Sequence, residues 1–233
     1  MRVLVTRPED DARAMAEKLI AMGHTVVIAP LLDIVFFDGP EISLDGVQAI
    51  LATSANGVRA IARRTQRRDV PLFAVGPQTA QEAERAGFAH IKNAQGDGAA
   101  LARTTRDWAK PEAGALLHAA SAEAPKHLAS DLESHGYTVR REVLYEARAA
   151  SALPENAATA LRSRQIDAAL FFSPRSAKTF AEGVARAGLA NALAPVTACC
   201  ISEATAKALA GMPFRAIRIA DAPHQDALLS LLS

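Results

Sequence analysis

Two segments of the chain join an apolar run to a helical pattern through a corner that contains serine. They read LATSANGVRAIA at residues 51–62 and LFFSPRSAKTFA at residues 170–181. Ser54 and Ser173 stand where the apolar run ends, and proline follows the second of them. Serine is a favoured N-cap, and proline is favoured at the first helical position. These corners therefore predict helices that begin directly after strands.

Threonines at two other corners have the spacing of a capping box. Thr6 precedes Glu9 by three residues, and Thr79 precedes Glu82 by the same interval. The start of a helix exposes unpaired N–H groups and carries about half a positive charge, which favours a carboxylate or phosphate. The corners predict a shared anion site, and the alternative is that these hydroxyls only cap their helices.

Other kinds of site find little support in the sequence. The six histidines lack metal-ligand spacing, and the glycine turns GDG and VGPQT match neither GxGxxG nor GxxxxGK[ST]. We therefore predict no metal and no cofactor. Lys and Arg number 26 against 25 Asp and Glu, and this balance argues against nucleic-acid binding. It leaves backbone amides as possible anion donors.

The elements that must position these corners occur in two similar sets. A strand, an amphipathic helix and a glycine recur as RVLVTRPEDDARAMAEKLIAMGHTVV and GALLHAASAEAPKHLASDLESHGYTVR. Gly23 and Gly136 stand where a helix C′ position favours positive φ. The first helix has the spacing of one buried face. The members of that face are Ala12, Met15, Ala16, Leu19 and Ile20.

The alternation of short apolar strands with helices predicts an α/β fold with parallel sheets and helices on both faces. Ligands of such open sheets bind beyond the carboxyl ends of the strands, where the polar corners lie. A simple tandem interpretation of the repeat divides the chain near Pro111 into two halves.

The cysteines and the N-terminus predict a cytoplasmic protein. Cys199 and Cys200 are adjacent in an apolar run, so on a strand they point to opposite faces and are expected to be reduced core residues. The apolar run at the N-terminus is too short for a signal peptide. No apolar run reaches the ~18 residues of a membrane span, so we expect no membrane partner.

Six segments together resemble the uroporphyrinogen-III synthase family, in the family's order and over essentially the whole chain. They are VLVTRPEDDARAMAEKLIAMGHTVVIAPLLDI, LATSANGVRAIA, FAVGPQTAQEAERAGF, GYTVRREVLYEA, FFSPRSAKTF and CISEATAKAL. The most specific part is the combination of Thr-Arg-Pro near the start, Val-Gly-x-x-Thr in mid-chain and Val-x-Tyr before the second half.

The resemblance implies a reaction. An enzyme of this family closes hydroxymethylbilane, a linear tetrapyrrole, into uroporphyrinogen III, with inversion of ring D and loss of water. The partner would be this small polycarboxylate, and we expect a monomer. The main alternative is a non-catalytic bilobed binding protein for a small anion. A Rossmann-like nucleotide enzyme is disfavoured because the glycine fingerprint is missing.

The resemblance also implies two similar lobes that exchange segments of the chain, so that the first lobe is built from both ends of the sequence and the second is inserted between them. Lobe one would contain residues 1–33 and 147–233, and lobe two would be inserted as residues 37–143. The chain would cross outward through residues 29–37 and return through residues 141–147. Both crossings are rich in β formers, which is consistent with a two-stranded connector.

Residue roles follow from the same resemblance, motif by motif. Tyr145 matches the family's tyrosine that is proposed to help the leaving hydroxyl depart, and it is the catalytic candidate. The substrate-binding candidates are Thr6, Arg7, Ser54, Gly76, Thr79, Ser173, Ser176, Ser202 and Thr205. Ala204 stands where the family has a threonine, and HAASAEAP at residues 118–125 departs from the usual Gly- and Arg-containing form.

Overall fold

The computed structural model describes residues 1–232, which form two compact units. Unit 1 consists of Met1–Asp33 and the chain from Arg148 onward, and unit 2 consists of Ile34–Ala147. No helix of residues 1–232 is both long and apolar enough to cross a bilayer.

Eleven strands and nine α-helices occur in residues 1–232. The strands are β1 (Arg2–Val5), β2 (Thr25–Ile28), β3 (Leu32–Phe36), β4 (Val47–Ala52), β5 (Leu72–Ala74), β6 (Ile91–Asn93), β7 (Ala115–Ser121), β8 (Val139–Ala149), β9 (Ala168–Phe171), β10 (Thr197–Cys200) and β11 (Ala216–Ile219). The helices are α1 (Glu9–Ala21), α2 (Ala55–Arg64), α3 (Pro77–Arg85), α4 (Gly98–Trp108), α5 (His127–Ser134), α6 (Glu155–Arg162), α7 (Pro174–Arg186), α8 (Glu203–Lys207) and α9 (Gln225–Leu229).

The sheet of unit 1 has the strand order β11-β10-β9-β1-β2, and all its strands are parallel. Val3 of β1 pairs with Val26 of β2 on one side and with Ala168 of β9 on the other. The first strands of the chain therefore share a sheet with its last third. A tandem division near Pro111 is wrong, because strand pairing in unit 1 brings together segments from both ends of the sequence.

The sheet of unit 2 has the strand order β3-β8-β7-β4-β5-β6, and β4 to β8 are parallel. Apart from β3, the two sheets have the same strand order, once strands that correspond in the sequence repeat are treated as equivalent. Thus β7 and β8 take the places of β1 and β2, and β4 to β6 take those of β9 to β11. The predicted α/β class with parallel sheets is confirmed.

Helices cover both faces of each sheet and bury an apolar core on each. In unit 1, Phe171 and Cys200 pack on one face, whereas Leu170 and Cys199 pack on the other. Both cysteines are free and buried, and burial raises their thiol pKa values to about 11 for Cys199 and about 12 for Cys200. The prediction that the two cysteines lie in the core on opposite faces of the sheet is confirmed.

The predicted helix ends and the predicted buried face of α1 hold with one exception. Gly23 and Gly136 have φ values of 82° and 85°, as the C′ position requires. The predicted face of α1 is buried from Ala12 to Leu19, but Ile20 is 62% exposed. The helix ends one residue later, at Ala21, so Ile20 lies in the last turn, beyond the packed part of the face.

Candidate active site

The predicted corner at Ser54 forms at the carboxyl end of β4. Ser54 is the N-cap of α2, and its Oγ accepts a hydrogen bond of 3.2 Å from the Gly57 N–H. This bond satisfies one of the N–H groups that the first turn of a helix leaves unpaired. The remaining N–H groups and the positive end of the helix dipole lie at the edge of the sheet where open α/β folds bind ligands.

Gly57 holds the start of α2 close to strand β7. A Cβ atom at Gly57 would lie 2.7 Å from the Ala119 carbonyl oxygen, closer than real Cβ atoms approach a backbone atom. Only glycine therefore permits this approach without a shift of the backbone. The contact sets the height of the first turn above the sheet, and with it the position of Ser54.

Tyr145 lies in β8 with its ring inside the core of unit 2. The residue is 6% exposed, and its ring centroid is 6.3 Å from that of Phe36. Its hydroxyl is 2.7 Å from Ser54 Oγ, a normal distance for a hydrogen bond between hydroxyls. The tertiary structure thus brings the catalytic candidate and one binding candidate into direct contact, across 91 positions of sequence.

The surroundings of Tyr145 keep the phenol protonated. Burial raises the pKa of Tyr145, hydrogen bonds to Ser54 and Ser121 oppose the rise, and Glu123 adds to it. The net pKa lies above the ordinary value for tyrosine. A neutral phenol donates one hydrogen bond at neutral pH. Ser121, the last residue of β7, was missed in the sequence because it lies in the divergent segment 118–125.

The corner after β5 differs from its prediction. Gly76 is the N-cap of α3 and Pro77 its first residue, so Thr79 lies inside the first turn and is 4% exposed. The capping box of Thr79 and Glu82 is wrong, because Pro77 starts the helix earlier than the box requires. The Glu82 carboxylate instead pairs with Arg59 at 2.8 Å and links α3 to α2. Gly76 has no side chain with which to cap the N–H groups of this corner.

Unit 1 has two corners with a serine N-cap and a hydroxyl three residues later. At the start of α7, Ser173 Oγ accepts from the Ser176 N–H at 3.1 Å, which confirms the predicted cap before proline. The two hydroxyl oxygens are 2.6 Å apart. At the start of α8, Ser202 caps Thr205 in the same way, and their hydroxyl oxygens are 3.0 Å apart. The side chain of Thr205 is fully buried.

The N-terminal corner uses its side chains within the fold. Thr6 Oγ1 donates a 2.8 Å hydrogen bond to the Leu170 carbonyl oxygen, and it caps no helix. The capping box of Thr6 and Glu9 is therefore wrong, since the hydroxyl ties β1 to β9. Arg7 pairs with Asp11 at 2.8 Å, and its guanidinium lies 4.5 Å from the centre of the Phe172 ring. Asp11 thus offsets the charge of Arg7 at this corner.

His118, in the middle of β7, is buried with neither ring nitrogen hydrogen-bonded to any described residue. Burial, aided by the charge of Arg141, lowers the His118 pKa from 6.5 to about 4. As the pH falls, the unfolded chain takes up this proton first, so the free energy of unfolding should decrease between pH 6.5 and 4. The loss should reach about 3 kcal/mol, and most of it should occur within that range.

Denaturant unfolding measured across this pH range checks the prediction. His118→Leu should remove this part of the pH dependence, and His127→Gln, at an exposed histidine of the same unit, should keep it. If His118→Leu and the original protein lose stability in parallel, His118 is not the group that titrates.

The fold belongs to the class of open α/β proteins with parallel sheets, in which ligands bind beyond the carboxyl ends of the strands. The family model for uroporphyrinogen-III synthase HemD matches residues 13–230, and the chain belongs to this family. Members are enzymes of the cyclising lyase kind in tetrapyrrole synthesis, which confirms the resemblance and the main functional prediction.

Two solved structures share the fold at low sequence identity. A uroporphyrinogen-III synthetase from Helicobacter pylori 26695 is 18% identical, with 100% of this chain and 98% of that chain covered and a TM-score of 0.65. A mutant uroporphyrinogen III synthase from the extremely thermophilic bacterium Thermus thermophilus is 19% identical, with 100% and 96% covered and a TM-score of 0.54. A comparison with curated proteins found no match.

Proposed function

We propose that the chain closes hydroxymethylbilane into uroporphyrinogen III and that Tyr145 assists the departure of the hydroxyl group. The observation that carries the assignment of Tyr145 is its hydroxyl, held 2.7 Å from the N-cap of α2 at the carboxyl edge of the unit 2 sheet. A neutral phenol at this edge is placed to donate a hydrogen bond to a leaving oxygen.

The chemistry requires little from side chains. The C–O bond of the hydroxymethyl group breaks with its electron pair on oxygen, while the pyrrole nitrogen supplies electrons to the methylene carbon. The substrate loses one water in total, made of this hydroxyl and the proton released when the new carbon–carbon bond forms. The larger task is to hold the chain of four rings so that ring D attacks through its substituted end, and this is a matter of positioning.

Helix N-termini supply the positioning in this proposal. The substrate bears acetate and propionate groups, and the starts of α2, α3 and α7 present backbone N–H groups at the carboxyl ends of their strands. Because Thr79 and Thr205 are buried, we assign binding at their corners to main-chain amides and to Gly76 and Ser202, with the threonines supporting the turns. At the α7 corner Ser173 would bind, and the equally buried Ser176 would support the turn as the threonines do.

The N-terminal corner is proposed to contribute less than its composition suggests. Thr6 and Arg7 were both binding candidates, yet Thr6 bonds to Leu170 and Arg7 to Asp11. Arg7 would have to exchange Asp11 for a substrate carboxylate, which costs its buried ion pair. Thr6 would act by fixing the backbone at the end of β1.

We further propose that residues 29–37 and 141–147 are the connector between the exchanged segments and that the enzyme is a cytoplasmic monomer. The boundaries of the two compact units, at Asp33 and Arg148, support the connector. Analytical ultracentrifugation tests whether the protein is a monomer, and a dimer at assay concentrations would reject that part of the proposal.

Incubation with freshly prepared hydroxymethylbilane tests the proposed reaction. The expected product is the inverted isomer III, formed in proportion to enzyme, whereas the spontaneous reaction gives isomer I. The product is oxidised to porphyrins, and chromatography that separates the two isomers then identifies it. A protein that binds the substrate yet leaves only isomer I would be a binding protein and not a synthase.

A further inference from the structure

Ser54 is in contact with both the helix it caps and the tyrosine. Its Oγ lies 3.2 Å from the Gly57 nitrogen and 2.7 Å from the Tyr145 hydroxyl oxygen. Ser173 and Ser202, the serine caps of unit 1, bond instead to a hydroxyl of their own helix. Among these three serine caps, Ser54 alone is joined to a distant strand.

The number of hydroxyl protons limits the directions in which Ser54 and Tyr145 can donate. The hydroxyl of Ser54 has one proton and two lone pairs, and the Gly57 N–H occupies one lone pair. If the Ser54 proton points to the Tyr145 oxygen, and Ser121 also donates to that oxygen, the phenol keeps its own proton for another acceptor. If the phenol donates to Ser54 instead, its proton is occupied within the protein and is of no use to a leaving group.

We propose that Ser54 is a positioning residue that donates to the Tyr145 oxygen and so directs the phenol proton toward the leaving hydroxyl of the substrate. This proposal rests on the proposed role of Tyr145. Ser54 acts through the tyrosine, and its own contact with substrate is not needed for the effect.

The position of Ser54 strengthens its hydrogen bond to the tyrosine. The positive end of α2 lies at its cap, and a hydroxyl that accepts from an N–H group becomes a better donor. As the phenol gives up its proton to a leaving oxygen, negative charge develops on the tyrosine oxygen. The Ser54 hydroxyl would stabilise that charge, and Ser121, whose hydrogen bond also opposes the rise in the Tyr145 pKa, would assist it.

The variants must separate this role from ordinary capping. Ser54→Gly removes the hydroxyl at little cost to the helix, because glycine is nearly as good an N-cap as serine. Ser54→Thr keeps a hydroxyl and should restore function. Asp97 caps α4 in the same unit through the Ala100 N–H, so Asp97→Gly is a matched loss of a capping side chain. It should change neither turnover nor the ionisation of Tyr145.

Turnover in a double-mutant cycle tests whether Ser54 acts through Tyr145. Ser54→Gly should lower turnover about three- to tenfold, the value of one hydrogen bond, with Ser54→Thr near the original rate. In a Tyr145→Phe background, Ser54→Gly should have no further effect. An equal loss in both backgrounds would mean that Ser54 contacts the substrate directly, and this proposal would be wrong. A Tyr145→Phe protein with full turnover would instead reject the proposed role of the tyrosine.

Ionisation of Tyr145 gives a second readout that capping alone would not change. The chain has two tyrosines, so a Tyr137→Phe background leaves Tyr145 as the single tyrosine signal. Ultraviolet absorbance during alkaline titration, with circular dichroism to check folding, should show a higher Tyr145 pKa in Ser54→Gly than in Ser54→Thr. An unchanged or lower pKa in Ser54→Gly would show that Ser54 donates nothing to the tyrosine oxygen and would overturn the proposal.

Discussion

Tyr145→Phe is expected to lower turnover of hydroxymethylbilane about 10²-fold under conditions where chemistry is limiting, because donation by a neutral tyrosine falls at the weak end of general-acid catalysis. The hydroxyl contributes mainly in the transition state, so kcat should fall more than the affinity for substrate. The residual product should remain isomer III, since ring inversion depends on how the bound substrate is held and not on proton donation.

Tyr137→Phe is the matched control for this experiment. Tyr137 is the other tyrosine of the chain, equally buried in the same unit, and its hydroxyl donates to the Ala109 carbonyl oxygen at 2.9 Å. Both substitutions should lower the free energy of unfolding by about 1 kcal/mol through one lost hydrogen bond. Only the change at Tyr145 should lower turnover, and an equal loss in both variants would point to general destabilisation instead of a catalytic hydroxyl.

Gly57→Ala is expected to lower both stability and turnover, because the added methyl group would meet the Ala119 carbonyl oxygen at 2.7 Å. Alanine is favoured over glycine inside a helix by about 1 kcal/mol, so propensity alone predicts a gain. Forcing a backbone shift typically costs about 1–3 kcal/mol, and we expect this cost to prevail. The shift would also move Ser54 away from Tyr145, so turnover should fall toward that of Ser54→Gly, about three- to tenfold.

Gly98→Ala supplies the comparison. Gly98 is the first residue of α4, and apart from its chain neighbours and the backbone of its own helix, no atom of residues 1–232 lies within 4 Å of a Cβ built there. Chemical denaturation should show it neutral or slightly stabilised, with normal turnover. A Gly57→Ala protein that is as stable and as active as Gly98→Ala would show that the close approach of α2 to β7 has no role in the site.

The features that could be predicted from sequence alone depend on short-range patterns. The cap at Ser173 is set by a proline one residue away, and the positive φ values at Gly23 and Gly136 follow from helices that end beside them. The parallel-sheet class follows from the regular alternation of strands and helices. The family resemblance over most of the chain likewise depends on the order of local motifs and needs no contact between them.

Only the tertiary structure decided which side chains are free to act. Thr6 has the spacing of a cap, yet its hydroxyl bonds to the Leu170 carbonyl, 164 positions away, because β1 pairs with β9. Thr79 has the same spacing, yet Pro77 starts the helix earlier and buries it. The pairing of Ser54 with Tyr145 requires β4, β7 and β8 to lie side by side. Strand order depends on contacts between distant segments, and a local pattern of residues does not encode them.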